Sequence, residues 1–320
     1  MTEKKVNGEK KEKEKIEVSL IIPAYNEQES VKSLIEHIYE FLKKKELLNK
    51  WEVVFVDDGS KDDTLKILSK LLEKDYQGLQ ITIKRHQKNL GVTAALETGS
   101  RYAHGDILVF FPADLQFHLD DVERMISHMK EKGYDLITGK KRGKYEKKFV
   151  SKIYNKLSQI LFGLPVSDMN SIKAFKKEII DNIPLRKDWH RYIVPLAFYK
   201  GYRLDEVEVT LYPRTGGESK YKGLKRVIIG VFDLLAVKFQ ISFMRKPMLF
   251  FGSIGTISTV LGVLVGLIAI YMRVFKHHGY RPLIYLTMFL ILAGLIIFTV
   301  GLLGEMIAGL YDLIEKKCKD

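Results

Sequence analysis

Two oxygen-bearing side chains, Asp114 and Gln116, stand just beyond the apolar run DILVFF at 106–111. They are two residues apart, so they share a face if the chain stays extended there. Carboxylate and amide oxygens suit Mg²⁺ or Mn²⁺, and Mg²⁺ commonly takes only one or two carboxylates beside water and substrate phosphates. The pair therefore predicts a divalent-metal site with one carboxylate. The alternative is a polar turn after a buried strand.

A second group ends the apolar run that begins at Val18. Pro23, Tyr25 and Glu27 alternate there, and in an extended chain they point to one face. A flat ring beside a carboxylate suits a base and a sugar hydroxyl. The alternative is turn chemistry, with Glu27 in the first turn of a helix, where negative charge is favoured. The residues alone leave both interpretations open.

A third group follows the run WEVVFV. Asp57 and Asp58 can accept hydrogen bonds from ribose hydroxyls or from a base N–H group. Ser60 with Asp63 has the spacing of a helix-capping pair. Capping would explain Ser60 but would leave two adjacent aspartates unexplained at the end of a buried strand.

Strand-like and helix-like stretches alternate from residue 16 to about residue 140, and these elements must position the three groups. The strand-like runs lie at 18–25, 51–58, 79–86, 106–113 and 134–141. Apolar residues recur every three or four positions between them, which is typical of amphipathic helices. The alternation predicts an α/β fold with a mostly parallel, Rossmann-like sheet covered by helices, and such sheets bind ligands at the carboxyl ends of their strands. A further strand is expected within LDEVEVTLYPR, and a helix over 222–244.

The bulk composition narrows the class of partner. The chain has 320 residues, 52 lysines and arginines against 39 acidic residues, and a formal charge of +13. This balance favours anionic partners, such as nucleic acid, anionic lipid or phosphorylated substrates. The single cysteine, Cys318, excludes a disulfide within the chain and favours a reducing compartment. The motifs GxxxxGK[ST], GxGxxG and HExxH are absent from the sequence.

Two long uncharged segments stand near the C-terminus. They cover 26 residues between Lys246 and Arg273 and 23 residues between Arg281 and Glu305. Each exceeds the ~20 residues that cross a bilayer core, so they predict a transmembrane hairpin. The first fifteen residues lack the apolar segment of a secretory signal, and lysines and arginines crowd the flanks of the hairpin. These features favour a catalytic domain and both termini on the cytoplasmic face.

The remaining segments complete the predicted domain organisation. Residues 222–244 place Lys222, Arg226, Gly230, Asp233 and Gln240 along one stripe, as in a helix at the membrane interface with lysines towards the headgroups. The predicted parts are a disordered tail (1–15), a catalytic domain (16–221), an interfacial region (222–246), a membrane hairpin (247–311, with spans at about 248–272 and 282–304) and a cytoplasmic tail (312–320).

Taken in order, five motifs resemble the family 2 glycosyltransferases of the GT-A fold. These are IIPAYNE (21–27), VDDGSKDDT (56–64), NLGVTAALETG (89–99), PADLQ (112–116) and RTGGESKY (214–221). Together with the hairpin they are similar to the polyprenyl-phosphate glycosyltransferases, the group that contains dolichol-phosphate mannose synthase. The resemblance covers nearly the whole chain after residue 15.

The resemblance implies roles for particular residues. The matched nucleoside contacts are Pro23, Tyr25, Glu27 and Asp58, flanked by Val56 and Asp57. Ala113, Asp114 and Gln116 match a DADLQ-type motif that binds the metal and the nucleotide, although Pro112 replaces its first aspartate.

Three basic residues complete the implied site. Lys141 falls where relatives carry an arginine near the phosphates, and it exchanges a two-pronged donor for a point charge. Arg214 and Lys220 match the basic pair of a loop over the active site. The alternative for all three is a solvated basic face near the membrane.

The implied reaction is an inverting transfer of a sugar from a GDP- or UDP-hexose to a polyprenyl phosphate, with Mg²⁺ or Mn²⁺ as cofactor. Asp114 with the metal would stabilise the departing diphosphate, while Lys141, Arg214 and Lys220 clamp the acceptor phosphate. The lipid bilayer is the expected partner, nucleic acid is not, and a homo-oligomer stays open.

Two other functions compete with this reading. One is a membrane glycosyltransferase that acts on a sugar hydroxyl; the missing QxxRW motif and the small number of spans argue against it. The other is a non-catalytic nucleotide-binding membrane scaffold, suggested by Pro112.

Overall fold

A computed structural model describes residues 15–73, 76–142, 148–183, 185–212, 224–243, 246–277 and 279–317. Its contacts divide the chain into two compact units, Met1–Lys222 and Gly223–Asp320.

The first unit is built on a seven-stranded sheet with the order β3-β2-β1-β4-β6-β5-β7. The strands are β1 (Val18–Ala24), β2 (Trp51–Asp57), β3 (Gln80–Arg85), β4 (Ile107–Phe110), β5 (Leu136–Arg142), β6 (Lys173–Lys176) and β7 (Leu204–Thr210). The helices are α1 (Val31–Lys44), α2 (Thr64–Leu72), α3 (Val92–Tyr102), α4 (Leu119–Lys132), α5 (Lys148–Phe162), α6 (Lys177–Asn182), a 3₁₀ turn (Trp189–Tyr192) and α7 (Ile193–Tyr199).

Strands β1 and β2 are almost completely buried within this sheet. All seven residues of β2 are buried, including Glu52 and Asp57, which explains why the middle of the strand is the continuous apolar stretch VVFV rather than an alternating one. Four of the strand pairs are parallel, β1–β2, β1–β4, β2–β3 and β5–β7, while β6 runs antiparallel to β4 and β5. The predicted α/β class, with a mostly parallel sheet covered by helices, is confirmed.

Strand β6 was not predicted. It has four residues, KAFK, and two of them are lysines. Its first residue, Lys173, is only 1% exposed. A short strand with a buried lysine has neither the length nor the alternation that marks a strand in sequence.

Glu206 of β7 fastens the loop that precedes β6. Its carboxylate accepts hydrogen bonds from Lys140 Nζ (2.8 Å) and Ser167 Oγ (2.7 Å). Burial opposes ionisation of Glu206, but the hydrogen bonds from Lys140 and Ser167 outweigh it and hold the pKa of this carboxyl below its usual value.

The second unit contains three helices and a π-helical turn, within the described residues. These are α8 (Leu224–Phe243), the π turn (Met248–Gly252), α9 (Ser253–Phe275) and α10 (Arg281–Lys317). Met248–Phe275 and Arg281–Tyr311 have mean hydropathies of 2.2 and 2.6 and are long and apolar enough to cross a membrane. The predicted spans at 248–272 and 282–304 fall inside them.

Glycines bring α9 and α10 into close contact. A Cβ atom added to Gly255 would lie 2.6 Å from the carbonyl oxygen of Gly294. One added to Gly294 would lie 2.3 Å from Thr259 Oγ1. Small residues at such positions let helix backbones approach closely, which is how membrane helices associate without a hydrophobic driving force.

Helix α8 exposes apolar side chains. Phe232, Leu235 and Phe239 are 67%, 52% and 45% exposed and follow the 3–4 residue spacing of one helix face. Of the predicted polar stripe, Gly230 is buried and Asp233 is half-buried. Lys222 lies outside the described residues, and the side chains of Arg226 and Gln240 are not described either.

Candidate active site

The carboxyl ends of β1 and β2 place two of the predicted groups side by side. Pro23 pairs with Val56 in the parallel register, and Ala24 pairs with Asp57. Pro23 and Tyr25 are half-buried, whereas Val56 and Asp57 are fully buried. The site residues predicted after β1 and β2 therefore meet at one edge of the sheet.

The loops that follow β1 and β2 are bonded to each other. The backbone N–H of Asn26 donates to Ser60 Oγ (2.9 Å), and the N–H of Lys61 donates to Asn26 Oδ1 (2.9 Å). The N–H of Glu27 donates to Thr64 Oγ1 (2.8 Å). These bonds fix the rim on which Tyr25 and Glu27 stand.

Two local interpretations are wrong as a result. Helix α2 begins at Thr64 after Asp63, without a side-chain cap, and Ser60 serves the neighbouring loop instead of a helix end. Helix α1 begins at Val31, so Glu27 lies in the preceding turn and not in a helical first turn. The half-buried Glu27 carboxylate is within 3.2 Å of Ser30 Oγ.

Asp58 is buried and binds the chain segment that leads into α3. Its Oδ1 accepts hydrogen bonds from the N–H of Leu90 (2.8 Å) and lies 2.7 Å from His86 Nδ1. Its Oδ2 accepts from the N–H of Gly91 (2.8 Å). A carboxylate at the N-terminus of a helix is stabilised by the free N–H groups and by the helix dipole. Both carboxylate oxygens of Asp58 thus bind protein groups beside the loops that follow β1 and β2.

The carboxylate of Asp57 accepts fewer hydrogen bonds than that of Asp58. Its Oδ1 accepts a 3.2 Å hydrogen bond from the N–H of Ser60. Its Oδ2 accepts no hydrogen bond from the described residues, although Arg85 Nε lies 3.7 Å away. A buried carboxylate oxygen in that condition retains capacity for a ligand N–H or hydroxyl.

The segment PADLQ leaves the sheet sooner than predicted. Strand β4 ends at Phe110, and Leu115 adopts a left-handed conformation (φ +57°) that is rare for a side chain of its size. Asp114 and Gln116 therefore lie on a turn, where Asp114 Oδ1 accepts from the N–H of Gln116 (3.3 Å), and the expectation of an extended chain is wrong. Ala113 is buried beneath the half-buried Asp114 and Pro112.

The side chain of Gln116 is oriented by Tyr212. The N–H of Tyr212 donates to the carbonyl oxygen of Gln116 (3.0 Å), and Gln116 Nε2 donates to the carbonyl oxygen of Tyr212 (3.3 Å). The ring of His118 stacks on the ring of Tyr212 with centroids 4.1 Å apart. The amide oxygen of Gln116 remains as its acceptor atom.

The donor set fits Mg²⁺ or Mn²⁺ only if a substrate supplies more oxygens. The described residues contain no group of three or more His, Cys, Asp or Glu side chains that could hold a metal. Asp114 and Gln116 offer one carboxylate and one amide oxygen, which matches the small protein share that Mg²⁺ often takes beside substrate phosphates.

Lys141 of β5 is held in a buried ion pair. Its Nζ donates to the carbonyl oxygen of Asn170 (3.0 Å) and lies 3.4 Å from Asp168 Oδ2. The two side chains are 11% and 6% exposed, so the alternative of a solvated basic face is wrong for Lys141. Because β4 and β5 both run antiparallel to β6, their carboxyl ends lie at the same edge.

Sequence reasoning missed a second buried lysine at this edge. Lys173 Nζ donates to the carbonyl oxygen of Ser171 (2.9 Å) and lies 5.8 Å from the ring centroid of Phe110. Burial lowers the pKa of Lys173 to about 7, with Asp168 opposing that shift and Lys141 adding to it. The one sequence signal is a lysine inside the apolar stretch SIKAF.

Arg214 and Lys220 lie outside the described residues, in the segment 213–223. Tyr212 is the described residue directly before that segment, and it is the same residue that contacts Gln116 and His118.

The seven-stranded sheet and its flanking helices have the architecture of the GT-A fold. A crystal structure of glucosyl-3-phosphoglycerate synthase from Mycobacterium tuberculosis, in complex with Mn²⁺, UDP and phosphoglyceric acid, superposes with a TM-score of 0.54 at 17% identity. The match covers 71% of this chain and 78% of that one, and it shows the fold. The chain belongs to glycosyl transferase family 2, whose model matches residues 19–183.

Two relatives extend the similarity through the C-terminal unit. Dodecaprenyl-phosphate galacturonate synthase of Rhizobium johnstonii is 33% identical over 310 residues, covering 92% of this chain and 89% of the relative. Undecaprenyl-phosphate 4-deoxy-4-formamido-L-arabinose transferase of Proteus mirabilis is 30% identical over 308 residues, covering 94% and 91%. The resemblance to polyprenyl-phosphate glycosyltransferases is confirmed.

Proposed function

We propose that this enzyme transfers a sugar from a nucleotide-sugar to a polyprenyl phosphate, with inversion at the anomeric carbon. The observation that carries the proposal is the carboxyl edge of the sheet, which combines a one-carboxylate turn at Asp114 with the buried cation Lys141. The names of the two full-length relatives support the acceptor class.

The nucleoside is assigned to the rim formed by the loops after β1 and β2. Tyr25 supplies a half-buried ring and Glu27 a half-buried carboxylate, and Asp57 supplies a buried oxygen that accepts no hydrogen bond from the described residues. Pro23 and Val56, paired across the strands, form the floor. Asp58 would contribute to nucleoside binding indirectly, because its carboxylate holds the backbone of Leu90 and Gly91 next to this rim. GDP and UDP are both proposed donors.

The diphosphate is assigned to the PADLQ turn. The buried Ala113 would fix the position of the turn. Asp114 and Gln116 would hold Mg²⁺ or Mn²⁺ together with diphosphate oxygens. A bound divalent ion neutralises the charge that develops on a departing diphosphate.

The acceptor phosphate is assigned to the basic residues Lys141, Arg214 and Lys220. An oxygen of the lipid phosphate forms a bond to the anomeric carbon, while the bond from that carbon to the diphosphate oxygen breaks. The electron pair leaves with the nucleoside diphosphate. A phosphate monoester with a second pKa of about 6 is already anionic at neutral pH, so the step needs no protein base.

The second unit is proposed to anchor the enzyme in a bilayer with both ends of the hairpin on the cytoplasmic face. Arg281–Lys317 has 37 residues, which corresponds to about 55 Å of helix against a hydrocarbon core of about 30 Å. A helix of that length would extend well beyond one membrane surface. The exposed apolar face of α8 suits an interfacial helix.

The test is incubation of the purified, detergent-solubilised chain with a panel of radiolabelled GDP- and UDP-sugars and a short polyprenyl phosphate. The expected product is a chloroform-soluble, mild-acid-labile lipid monosaccharide that requires Mg²⁺ or Mn²⁺ and disappears in Asp114→Ala. A polymeric product would show instead that the acceptor is a sugar hydroxyl. Nucleotide binding without turnover on any donor would identify a scaffold.

A further inference from the structure

Two buried lysines hold the same short loop at the carboxyl edge of the sheet. The four residues from Asp168 to Ser171 form the loop that leads into β6. Lys141 approaches it from β5, through the Asp168 carboxylate (3.4 Å) and the carbonyl oxygen of Asn170 (3.0 Å). Lys173 approaches it from β6, through the carbonyl oxygen of Ser171 (2.9 Å).

The loop also carries buried polar atoms that make no hydrogen bond to the described part of the chain. Asn170 Oδ1 and Ser171 Oγ are buried, and neither makes a hydrogen bond to any described residue. Ser171 as a whole is 4% exposed. Buried polar groups in folded proteins are normally bonded to protein, water or ligand, so this loop has hydrogen-bonding capacity that the described protein atoms do not fill.

The charges around Lys173 are unbalanced. The charged groups that act on it are Asp168 in the loop, Lys141 on β5 and Arg191 in the 3₁₀ turn. His190, from the same turn, faces the Phe110 ring at 6.0 Å between ring centroids. One carboxylate and two cations thus surround the ammonium group of Lys173, so this edge carries a net positive charge that a bound anion would neutralise.

We propose that Lys173 is a positioning residue for the anionic ligand of this edge: its buried ammonium group fixes the loop and, through Asp168 and Asn170, the ammonium group of Lys141. This inference rests on the proposed function insofar as the anion is taken to be the diphosphate of the nucleotide donor, which would lie beside the acceptor phosphate at this edge. Its consequence is that anion binding and protonation of Lys173 favour each other, because each stabilises the other electrostatically.

Proton uptake on nucleotide binding measures this coupling directly. Titration calorimetry of the full chain in detergent, with UDP or GDP and MgCl₂ in buffers of different ionisation enthalpy, gives the number of protons taken up. Because Lys173 titrates near pH 7, the wild type is expected to take up about 0.5–0.9 proton per nucleotide between pH 7.5 and 8. Lys173→Met is expected to take up close to none beyond the background of the nucleotide itself.

Lys176→Met is the matched control. Lys176 is the same residue type at the other end of β6, where it is half-exposed and paired with Asp135 at 2.6 Å. Its variant should show the proton uptake of the wild type. Equal uptake in the wild type and in Lys173→Met would overturn the inference.

A pH profile of sugar transfer separates positioning from simple support of the fold. In the wild type, kcat/KM for the donor should fall as the pH rises from 7 to 9. In Lys173→Arg, whose guanidinium stays charged, that fall should disappear. If the larger arginine lowers the folded fraction, seen by tryptophan fluorescence, the calorimetry of Lys173→Met decides alone.

The outcomes also separate this inference from the proposed function. The inference alone is overturned if sugar is transferred to polyprenyl phosphate but neither the pH profile nor the proton uptake depends on Lys173. Lys173-dependent proton uptake without transfer from any donor overturns the function only. Failure to bind either nucleotide overturns both.

Discussion

Replacing Asp58 by alanine tests whether this carboxylate serves the fold or the ligand. The variant leaves the N–H groups of Leu90 and Gly91 without their 2.8 Å acceptors and removes the partner of His86 Nδ1, while the contact of His86 Nε2 with Thr98 stays. Hydrogen bonds to a charged group contribute about 1.5–3 kcal/mol each. Leu90 is 40% exposed, so water replaces the bond to its N–H, and the two remaining bonds at the low end of that range give a total of about 3 kcal/mol. Asp58→Asn, which keeps one acceptor oxygen, should lose about half of that.

Tryptophan fluorescence is a selective assay for this effect. The chain has two tryptophans, Trp51 and Trp189, and both are buried in the first unit. Unfolding followed by their emission therefore reports on that unit even when the full chain is held in detergent. At about 2–4 °C per kcal/mol for a unit of this size, Asp58→Ala should lower Tm by roughly 6–12 °C.

The control is Asp63→Ala, which removes an exposed carboxylate whose 3.8 Å ion pair with Lys66 is also exposed. Such pairs contribute about 0–1 kcal/mol, so Tm should barely change. The reasoning is refuted if Asp58→Ala unfolds within about 1 kcal/mol of the wild type. Loss of nucleotide binding with unchanged Tm would make Asp58 a direct ligand contact.

Further substitutions test three other parts of the structure. Asp114→Asn should raise the Mg²⁺ concentration for half-maximal transfer about 10- to 100-fold, while an unchanged value in Pro112→Asp would limit Pro112 to shaping the turn. Because the pKa of Glu206 is lowered, its stabilisation is present above about pH 4.3 and is lost as the pH falls through the folded pKa. Glu206→Gln should therefore flatten the acid side of the stability curve measured by tryptophan fluorescence; an unchanged curve contradicts this. Gly294→Leu should separate α9 and α10 and lower the Tm of the hairpin followed by circular dichroism, whereas Gly309→Leu, where a Cβ would meet nothing within 4 Å, should not.

The architecture could be predicted from the sequence because the alternation of strand-like and helix-like stretches is long and regular. Five apolar runs, separated by stretches of helical period, specify parallel strands with buried faces. Strand β6 escaped prediction because its four residues form a strand only through pairing with β4 and β5. The secondary structure of that segment is set by its pairing with other strands and not by the local propensity of its residues.

The site was predictable in outline and not in detail. Residues after β1, β2 and β4 had to meet at one edge because parallel strands share their carboxyl ends. A helix-capping role for Ser60 and a helical first turn at Glu27 were open alternatives in the sequence, and the structure excludes both because Ser60 bonds to the neighbouring loop and α1 begins only at Val31. Lys173 was missed because a buried lysine gives no periodic signal, and its surroundings come from three separate elements.

The bonds between the loops after β1 and β2 also bear on how the protein folds. They join residues 34–37 positions apart in sequence, and contacts of that separation carry a larger loop-closure cost than local turns. We therefore expect the two loops to reach their native shape only once β1 and β2 are paired. A nucleotide that binds this rim therefore recognises a chain whose sheet has already formed, and it stabilises the finished fold by mass action without assisting the earlier steps.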